Sequence, residues 1–255
     1  MNIAIVTGAS SGIGREFVKR IAENDGYEQI WIIARRRERL LELELKYGQK
    51  IVPIPLDLTQ TDELNKFADI LKEKNPNVKL LINCAGFGKF GKYDAIPTED
   101  TLKMIDLNCK ALVFLSEAVI PYMTEGAKII EVDSIAAFQP IPYLNVYGAT
   151  KAFVLNYSLA LQEELRDKKI RVFSVCPGWT KTEFFNDSGN EKGVVKYFNK
   201  WFTAEEIVSF TLKKVQKSKK VVLTPSLINK LQSVLVKFAP KKFTMFIWQK
   251  QQKLR

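Results

Sequence analysis

The stretch Ile3-Ala-Ile-Val-Thr7-Gly8-Ala-Ser-Ser-Gly12-Ile-Gly14 decides how the rest of this chain is read. Its opening run of Ile, Ala and Val has the pattern of a short strand buried on both faces. The glycines that follow mark a tight turn, and Arg15-Glu-Phe-Val-Lys-Arg-Ile-Ala22 begins an amphipathic helix. Strand, glycine turn and helix in that order present free backbone N–H groups and the positive end of a helix dipole to an anion. Glycine also lets a pyrophosphate come close to the backbone. A glycine-rich loop also fits an ordinary strand-to-helix turn, but its place directly after the first strand favours a dinucleotide.

Downstream, Gln29-Ile-Trp-Ile-Ile-Ala34 reads as a second strand, so residues 3–34 make one βαβ unit. Proteins that select NAD place Asp or Glu about 20 residues after the glycines, on the ribose 2′-hydroxyl. This chain has Arg35, Arg36 and Arg37 there. A guanidinium pairs with a 2′-phosphate that a carboxylate would repel, so NADP(H) is preferred over NAD(H). The plainer alternative is that these arginines decorate the start of the next helix.

Helices at 38–47 and 61–74, the second with a Thr59-Gln-Thr-Asp62 start, alternate with strands at 51–55 and 78–82. Long helices are expected over about 99–108 and 110–124. A strand at 128–132, a helix carrying Tyr147 to about Arg166 and a strand at 170–176 follow. This order predicts an α/β fold, a Rossmann-like doubly wound parallel sheet of about seven strands with helices on both faces. Residues 1–225 are expected to form one domain, including a substrate-covering segment at 183–202, with 226–255 as a basic amphipathic C-terminal extension.

Composition narrows the chemistry. The chain has 255 residues and no histidine, which removes serine–histidine triads and most zinc sites, so no metal is expected. Cys84, Cys109 and Cys176 are widely separated and odd in number, which indicates neither a disulfide framework nor a metal cluster and points to a reducing, cytoplasmic setting. The first strand follows Met1 so closely that no signal peptide is expected, and no apolar run reaches the ~18 residues of a membrane span. The net charge of +11 is unevenly placed. Twelve Lys and Arg and no Asp or Glu lie from Ile207 to Arg255, against 27 basic and 28 acidic residues before them. Basic charge without a recognisable reading element argues against nucleic acid.

Tyr147-Gly-Ala-Thr-Lys151 places a phenol and an ammonium on one helical face, with Ser134 upstream. A phenol titrates near ~10, and a nearby cation favours the phenolate, so the pair is a candidate proton donor and acceptor. A tyrosine with a lysine four residues on is also ordinary helix-surface furniture in a lysine-rich chain. Its context decides: Thr7-Gly-Ala-Ser-Ser-Gly-Ile-Gly14, Asp57, Asn83-Cys-Ala-Gly86, Asn108, Ser134, Tyr147-x-x-x-Lys151 and Pro177-Gly178-x-x-x-Thr182 occur in order.

With these motifs the chain resembles the short-chain dehydrogenase/reductase family from Ile3 to about Thr182. The resemblance implies an NADP(H)-dependent oxidoreductase interconverting a ketone or aldehyde and an alcohol by hydride transfer. It makes Tyr147 the general acid and base and Ser134 the hydrogen-bond donor to the substrate oxygen. Lys151 lowers the phenol pKa and binds the nicotinamide ribose, and Asn108 supports a water-linked proton path. The chemistry agrees: negative charge develops on the carbonyl oxygen, and prepositioned donors stabilise it in the transition state. The resemblance also assigns Gly8, Ser10, Ser11, Gly12 and Ile13 to the cofactor phosphates and nearby ribose. Arg35 and Arg36 take the 2′-phosphate, Asp57 and Leu58 the adenine edge, and Asn83, Ala85 and Gly86 the cofactor body. Pro177, Gly178, Thr180 and Thr182 lie at the nicotinamide end. Two departures stand out: Asp133 replaces a common serine, and Cys84 a common asparagine.

Phe184, Phe185, Tyr197, Phe198 and Trp201 lie in the segment that covers the substrate in the resembled family, which fits an apolar ligand or simple packing. A capping box, Thr203-Ala-Glu-Glu206, then starts a helix. In the tail, Leu227, Ile228, Leu231, Val234, Leu235 and Phe238 recur at helical spacing, a stripe expected to pack on the domain or on a partner subunit. Its wholly basic polar side offers a peripheral contact with an anionic membrane as the alternative. The resemblance implies a homodimer or homotetramer built through the helices at about 110–124 and 151–166. The competing functional reading is a non-catalytic cofactor-sensing or membrane-surface interaction protein on the same fold.

Overall fold

Apolar residues in the first six strands alternate between two opposite cores, which is what a sheet covered on both sides requires. In β1 (Asn2–Thr7), Ala4 and Val6 pack on one side with Phe17, Val18 and Ile21 of α1 (Gly12–Ala22). Ile3 and Ile5 pack on the other side with Leu64, Phe67 and Leu71 of α3 (Thr61–Lys74). β2 (Gln29–Ala34) splits in the same way, Ile30 and Ile32 against Trp31 and Ile33. Trp31 is 2% exposed, and burying such a ring contributes about 2–3 kcal/mol. The computed structural model describes residues 1–23, 26–186, 188–189 and 193–254.

The remaining elements are α2 (Arg37–Tyr47), β3 (Ile51–Pro55), β4 (Asn77–Asn83), α4 (Thr98–Ile105), α5 (Leu112–Val119), β5 (Met123–Val132), α6 (Asn145–Glu164) and β6 (Arg171–Val175). After them come β7 (Trp179–Lys181), β8 (Trp201–Thr203), α7 (Ala204–Lys217), β9 (Val222–Leu223), α8 (Leu227–Phe238) and α9 (Lys241–Gln251). The main sheet has seven parallel strands in the order β3-β2-β1-β4-β5-β6-β9. Pro53 sits in β3, an edge strand, where a missing N–H can face away from the ladder. The chain reverses its winding between β1 and β4, which opens a crevice at their carboxyl ends.

Several boundaries differ from expectation. The helix after the glycine loop starts at Gly12 rather than Arg15. The two helices expected at 99–108 and 110–124 are one continuous helical path, α4, a π-helical turn over Asp106–Ala111, and α5. Pro121 lies in the 3-10 turn that ends this path, and β5 begins at Met123, five residues before the expected 128. Gly126, at φ +86, lies where the β4–β5 register shifts, between the Val78–Met123 and Leu80–Lys128 pairs. The side chain of Thr59 does not cap α3, whose N-cap is Gln60; its hydroxyl donates to Asp57 instead. The short parallel pair β7–β8 is an addition that strand periodicity over three residues could not signal.

In the tail the stripe expected to pack on the domain or on a partner subunit does not pack on the domain. α8 turns Asn229, Ser233 and Val236 inward and leaves Leu227 and Phe238, with the rest of the stripe, exposed.

Candidate active site

A single cleft of about 1070 Å3 runs along the carboxyl ends of the strands, from the glycine loop to the tail helices. Its floor is the crevice between β1 and β4. Gly8 is at φ +66, and a Cβ there would stand 2.9 Å from the backbone of Cys84 and Ala85, so only glycine fits. Thr7 ties the two loops together, its Oγ1 accepting from the N–H groups of Cys84 and Ala85, both at 3.0 Å. Opposite, the methyl group of Thr182 closes on Gly12, whose added Cβ would lie 3.1 Å from it. Ser10, Ser11, Ile13, Leu58, Ala85, Gly86, Pro177, Gly178 and Thr180 complete this wall as lining residues.

At one end the guanidinium of Arg36 donates to Ser10 Oγ at 3.0 and 3.2 Å and to Glu183 at 2.8 Å. Arg39 also holds Glu183, at 2.6 Å. These hydrogen bonds, from Arg36 first, keep the Glu183 carboxyl below its ordinary pKa, so the two arginines already hold an anionic group at the edge of the glycine loop. Arg35 lines the cleft but is exposed. Asp57 is braced by Thr59, whose N–H and hydroxyl donate to Oδ1 at 3.0 and 2.8 Å.

Halfway along, Asp133 and Ser134 directly follow the end of β5, and α6 presents Tyr147 and Lys151 from successive turns. Lys151 is 6% exposed; its Nζ donates to Val132 O at 2.8 Å and lies 6.0 Å from the Tyr147 ring centre. Ser134 Oγ accepts from Ala136 N–H at 3.1 Å, which orients the hydroxyl at the wall. Burial raises the Tyr147 phenol above its ordinary pKa, and Lys151 and hydrogen bonding with Ser134 pull it back only in part. Lys151 pulls the phenol down as expected, while desolvation of the buried ring works against it and is the larger effect.

Two expected site residues stand behind the cleft wall. Asn83 donates to Ser116 Oγ and Glu131 Oε1 at 3.0 and 3.2 Å, bracing β4 against α5 and β5. Asn108, in the π-helical turn, clamps Phe87 through its N–H (3.1 Å) and carbonyl (2.9 Å) and donates to Thr150 Oγ1 at 3.1 Å. Both amide hydrogens are thus engaged within the protein. A Cβ on Gly86 would lie 3.0 Å from Asn108 Oδ1 and 3.8 Å from Lys151 Nζ, so this clamp sits beside the lysine.

The other end of the cleft is aromatic. Phe184 packs on Tyr147 with centres 5.5 Å apart, and Phe185, Phe198 and Trp201 surround Trp179. Positions 187 and 190–192 of the expected substrate-covering segment lie outside the described residues. Residues that the motifs did not single out also take part. Trp248 of α9 stacks on Trp179 at 6.4 Å and donates to Pro142 O at 3.0 Å, and Leu231, Leu235 and Phe243 line the cleft. The tryptophan placed among basic and aromatic residues near the end of the tail was the one signal for it in the sequence. Among the described residues no cluster of three or more Cys, Asp or Glu is placed to hold a metal ion.

Known proteins place this geometry. The family model for short chain dehydrogenases matches residues 2–193. Sulfoacetaldehyde reductase 2 of Chromohalobacter salexigens is 36% identical over 189 residues, 72% of this chain and 74% of the relative. The NADP-dependent 3-hydroxy acid dehydrogenase of Escherichia coli is also 36% identical over 189 residues, 72% and 75% of the two chains. Among solved structures, a serine dehydrogenase in its closed form with NADP+ superposes with TM-score 0.78 at 30% identity, covering 88% of this chain and 94% of its own. A short-chain dehydrogenase from Sphingobium yanoikuyae with NADPH reaches TM-score 0.78 at 28% identity, covering 94% and 97%. Sequence relatives, fold and cleft agree, and the chain belongs to the short-chain dehydrogenase family.

Proposed function

We propose that this protein is an NADP(H)-dependent oxidoreductase that interconverts an apolar ketone or aldehyde with its alcohol. The observation that carries the reading is one cleft that joins the glycine loop and Arg36 to Ser134, Tyr147 and Lys151. The cofactor fits the residues present: Gly8 lets the glycine loop close on the Cys84–Ala85 backbone at the head of the cleft, where any side chain would clash, and Arg36 holds an anion beside Ser10. Gly8, Ser10, Ser11, Gly12 and Ile13 would hold the phosphates, Arg36 with Arg35 the 2′-phosphate, and Asp57 and Leu58 the adenine edge. Ala85, Gly86, Pro177, Gly178, Thr180 and Thr182 would bound the rest. When bound, NADP(H) supplies or takes up the hydride.

The chain's own groups handle the proton. Tyr147 donates its hydroxyl proton to the carbonyl oxygen during reduction and takes it back during oxidation. Ser134 holds that oxygen, and its hydrogen bond strengthens as charge develops there. Lys151 places a buried positive charge next to the phenol, while Asn108 fixes the Phe87 backbone and α6 relative to each other. Phe184 and the Trp179 cluster exclude water from the reacting end. The NADP dependence named for the Escherichia coli relative supports the cofactor, and the aromatic wall supports an apolar substrate.

Three free thiols, Cys84, Cys109 and Cys176, suit a cytoplasmic setting. Exposed Phe153 and Leu159 on α6 support a homodimer or homotetramer built through that helix.

The test is Tyr147→Phe in an NADPH-oxidation screen over ketones, aldehydes, steroids and acyl compounds. Turnover should fall by at least about 10²-fold while NADPH affinity, read by fluorescence titration, holds within about twofold. Undiminished turnover in the variant would refute the mechanism.

A further inference from the structure

We infer that α8 and α9 dock this protein onto an anionic lipid surface, with the mouth of the catalytic cleft facing that surface. A helix on a water-soluble domain ordinarily buries its apolar stripe. α8 does the reverse. Asn229, Ser233 and Val236 face the body, while Leu227 is 83% exposed and Phe238 86%, with Leu231 and Val234 between them at 60% and 46%. After Pro240 the same outer surface continues on α9 through Phe243 and Phe246, 55% and 45% exposed. An uncovered apolar ridge of this length marks a contact surface.

Charge selects the occupant. Residues 226–255 carry seven Lys and Arg and no Asp or Glu, and Lys230, Lys237, Lys241 and Lys242 are exposed beside the ridge. A second copy packed here by a two-fold axis would oppose these like charges. Nucleic acid would leave the apolar ridge without a partner. An anionic bilayer takes both: the Leu and Phe side chains enter the acyl boundary and the lysines meet the headgroups. No helix among the described residues is long and apolar enough to cross a membrane, so the contact is peripheral.

The cleft opens on this face. Leu231 and Leu235 belong to the exposed ridge and also line the cleft that reaches Tyr147, and Phe243 of α9 does both as well. If the substrate is the apolar carbonyl proposed above, it passes from lipid to Tyr147 along apolar side chains without crossing bulk water. That route rests on the reductase reading, whereas the docking itself does not.

Vesicle sedimentation of the full chain separates the two. Phosphatidylcholine vesicles and phosphatidylcholine–phosphatidylglycerol vesicles are compared at equal lipid, with no enzymatic readout. Binding is expected to the anionic vesicles and to weaken with added salt. Leu227→Glu with Phe238→Glu, neither of which lines the cleft, should lower partitioning by at least about tenfold. Lys237→Ala and Lys241→Ala should each lower it about fivefold and serve as folded controls for the first pair. Absence of binding to anionic vesicles, equal binding to neutral ones, or partitioning unchanged in both sets of variants overturns the inference. So does a Leu227→Glu, Phe238→Glu protein that loses a subunit in analytical ultracentrifugation while keeping its vesicle binding, because the ridge would then belong to a second copy.

Discussion

Replacing Asp133 by asparagine should stabilise this protein at neutral and alkaline pH and leave it unchanged in acid. Asp133 is 3% exposed; Oδ2 accepts from Ser174 Oγ at 3.0 Å, and Oδ1 has no hydrogen-bond partner among the described residues. Burial pushes its carboxyl up from an ordinary 3.8 to about 7, against the pull of Lys151 and Ser174. The folded state therefore binds more protons than the unfolded state between those values. The stability that goes with the neutral acid is fully present below 3.8 and is lost as pH rises through about 7. Over that interval the ceiling is roughly 4 kcal/mol, at 1.36 kcal/mol per pH unit, a sizeable part of the ~5–15 kcal/mol that holds a domain together. Asparagine keeps an acceptor for Ser174 and carries no charge to desolvate. Urea titrations at fixed protein concentration should show the variant about 2–4 kcal/mol more stable at about pH 8 and equal to wild type at about pH 4. Ionised Asp133 also raises the phenol of Tyr147. The rise of alcohol-oxidation rate with pH should therefore begin at lower pH in the variant. Parallel stability curves at all pH values would show that folding leaves the Asp133 pKa unshifted, and a variant that loses ground to wild type as pH rises would show that Lys151 holds the carboxylate ionised; either result would refute the reasoning.

Arg36→Ala removes the guanidinium that bridges Ser10 and Glu183, and should weaken NADPH binding by about ten- to a hundredfold while leaving NADH binding almost unchanged, as measured by fluorescence titration. Glu183→Gln should act in the opposite direction, because a 2′-phosphate no longer competes with a carboxylate for Arg36; equal NADPH affinity would place the phosphate elsewhere. Gly8→Ala forces a Cβ to 2.9 Å from the Ala85 backbone at a positive φ, and should cost about 2 kcal/mol or more in thermal unfolding and abolish NADPH binding. Retained binding would mean that the crevice between β1 and β4 yields more readily than its packing implies.

The strands and the order of motifs were legible in the sequence because they depend on local pattern. Apolar runs such as Ile3 to Val6 and Ile30 to Ala34 read the same whether or not the sheet is known, and the parallel order follows from their alternation with helices. Boundaries were less legible where a non-local partner sets them. β5 starts at Met123 because Val78 pairs with it across a bulge, and β7 exists because Trp201 to Thr203 return beside it. The arginine cluster was visible as a cluster, but only folding selects Arg36 as the one on Ser10. Similarly, Asn83 sat in a cofactor motif, yet its amide is committed to Ser116 and Glu131.

Tyr147 and Lys151 show the limit most clearly. Their four-residue spacing alone puts them on one face, and chemistry alone says that a cation lowers a phenol. Whether burial or charge prevails depends on how many dipoles and how much water surround the ring, which is a property of the packed cleft. The tail shows the same division. Helical spacing of Leu227, Leu231, Val234 and Phe238 was local information, so the helix was predictable. Which way its stripe faces is decided by contacts with residues far away in the chain: Asn229 meets Gly178, and Trp248 is drawn onto Trp179 and Pro142. Hydrophobic periodicity encodes that a helix has two faces, and only tertiary packing assigns the one that remains in solvent.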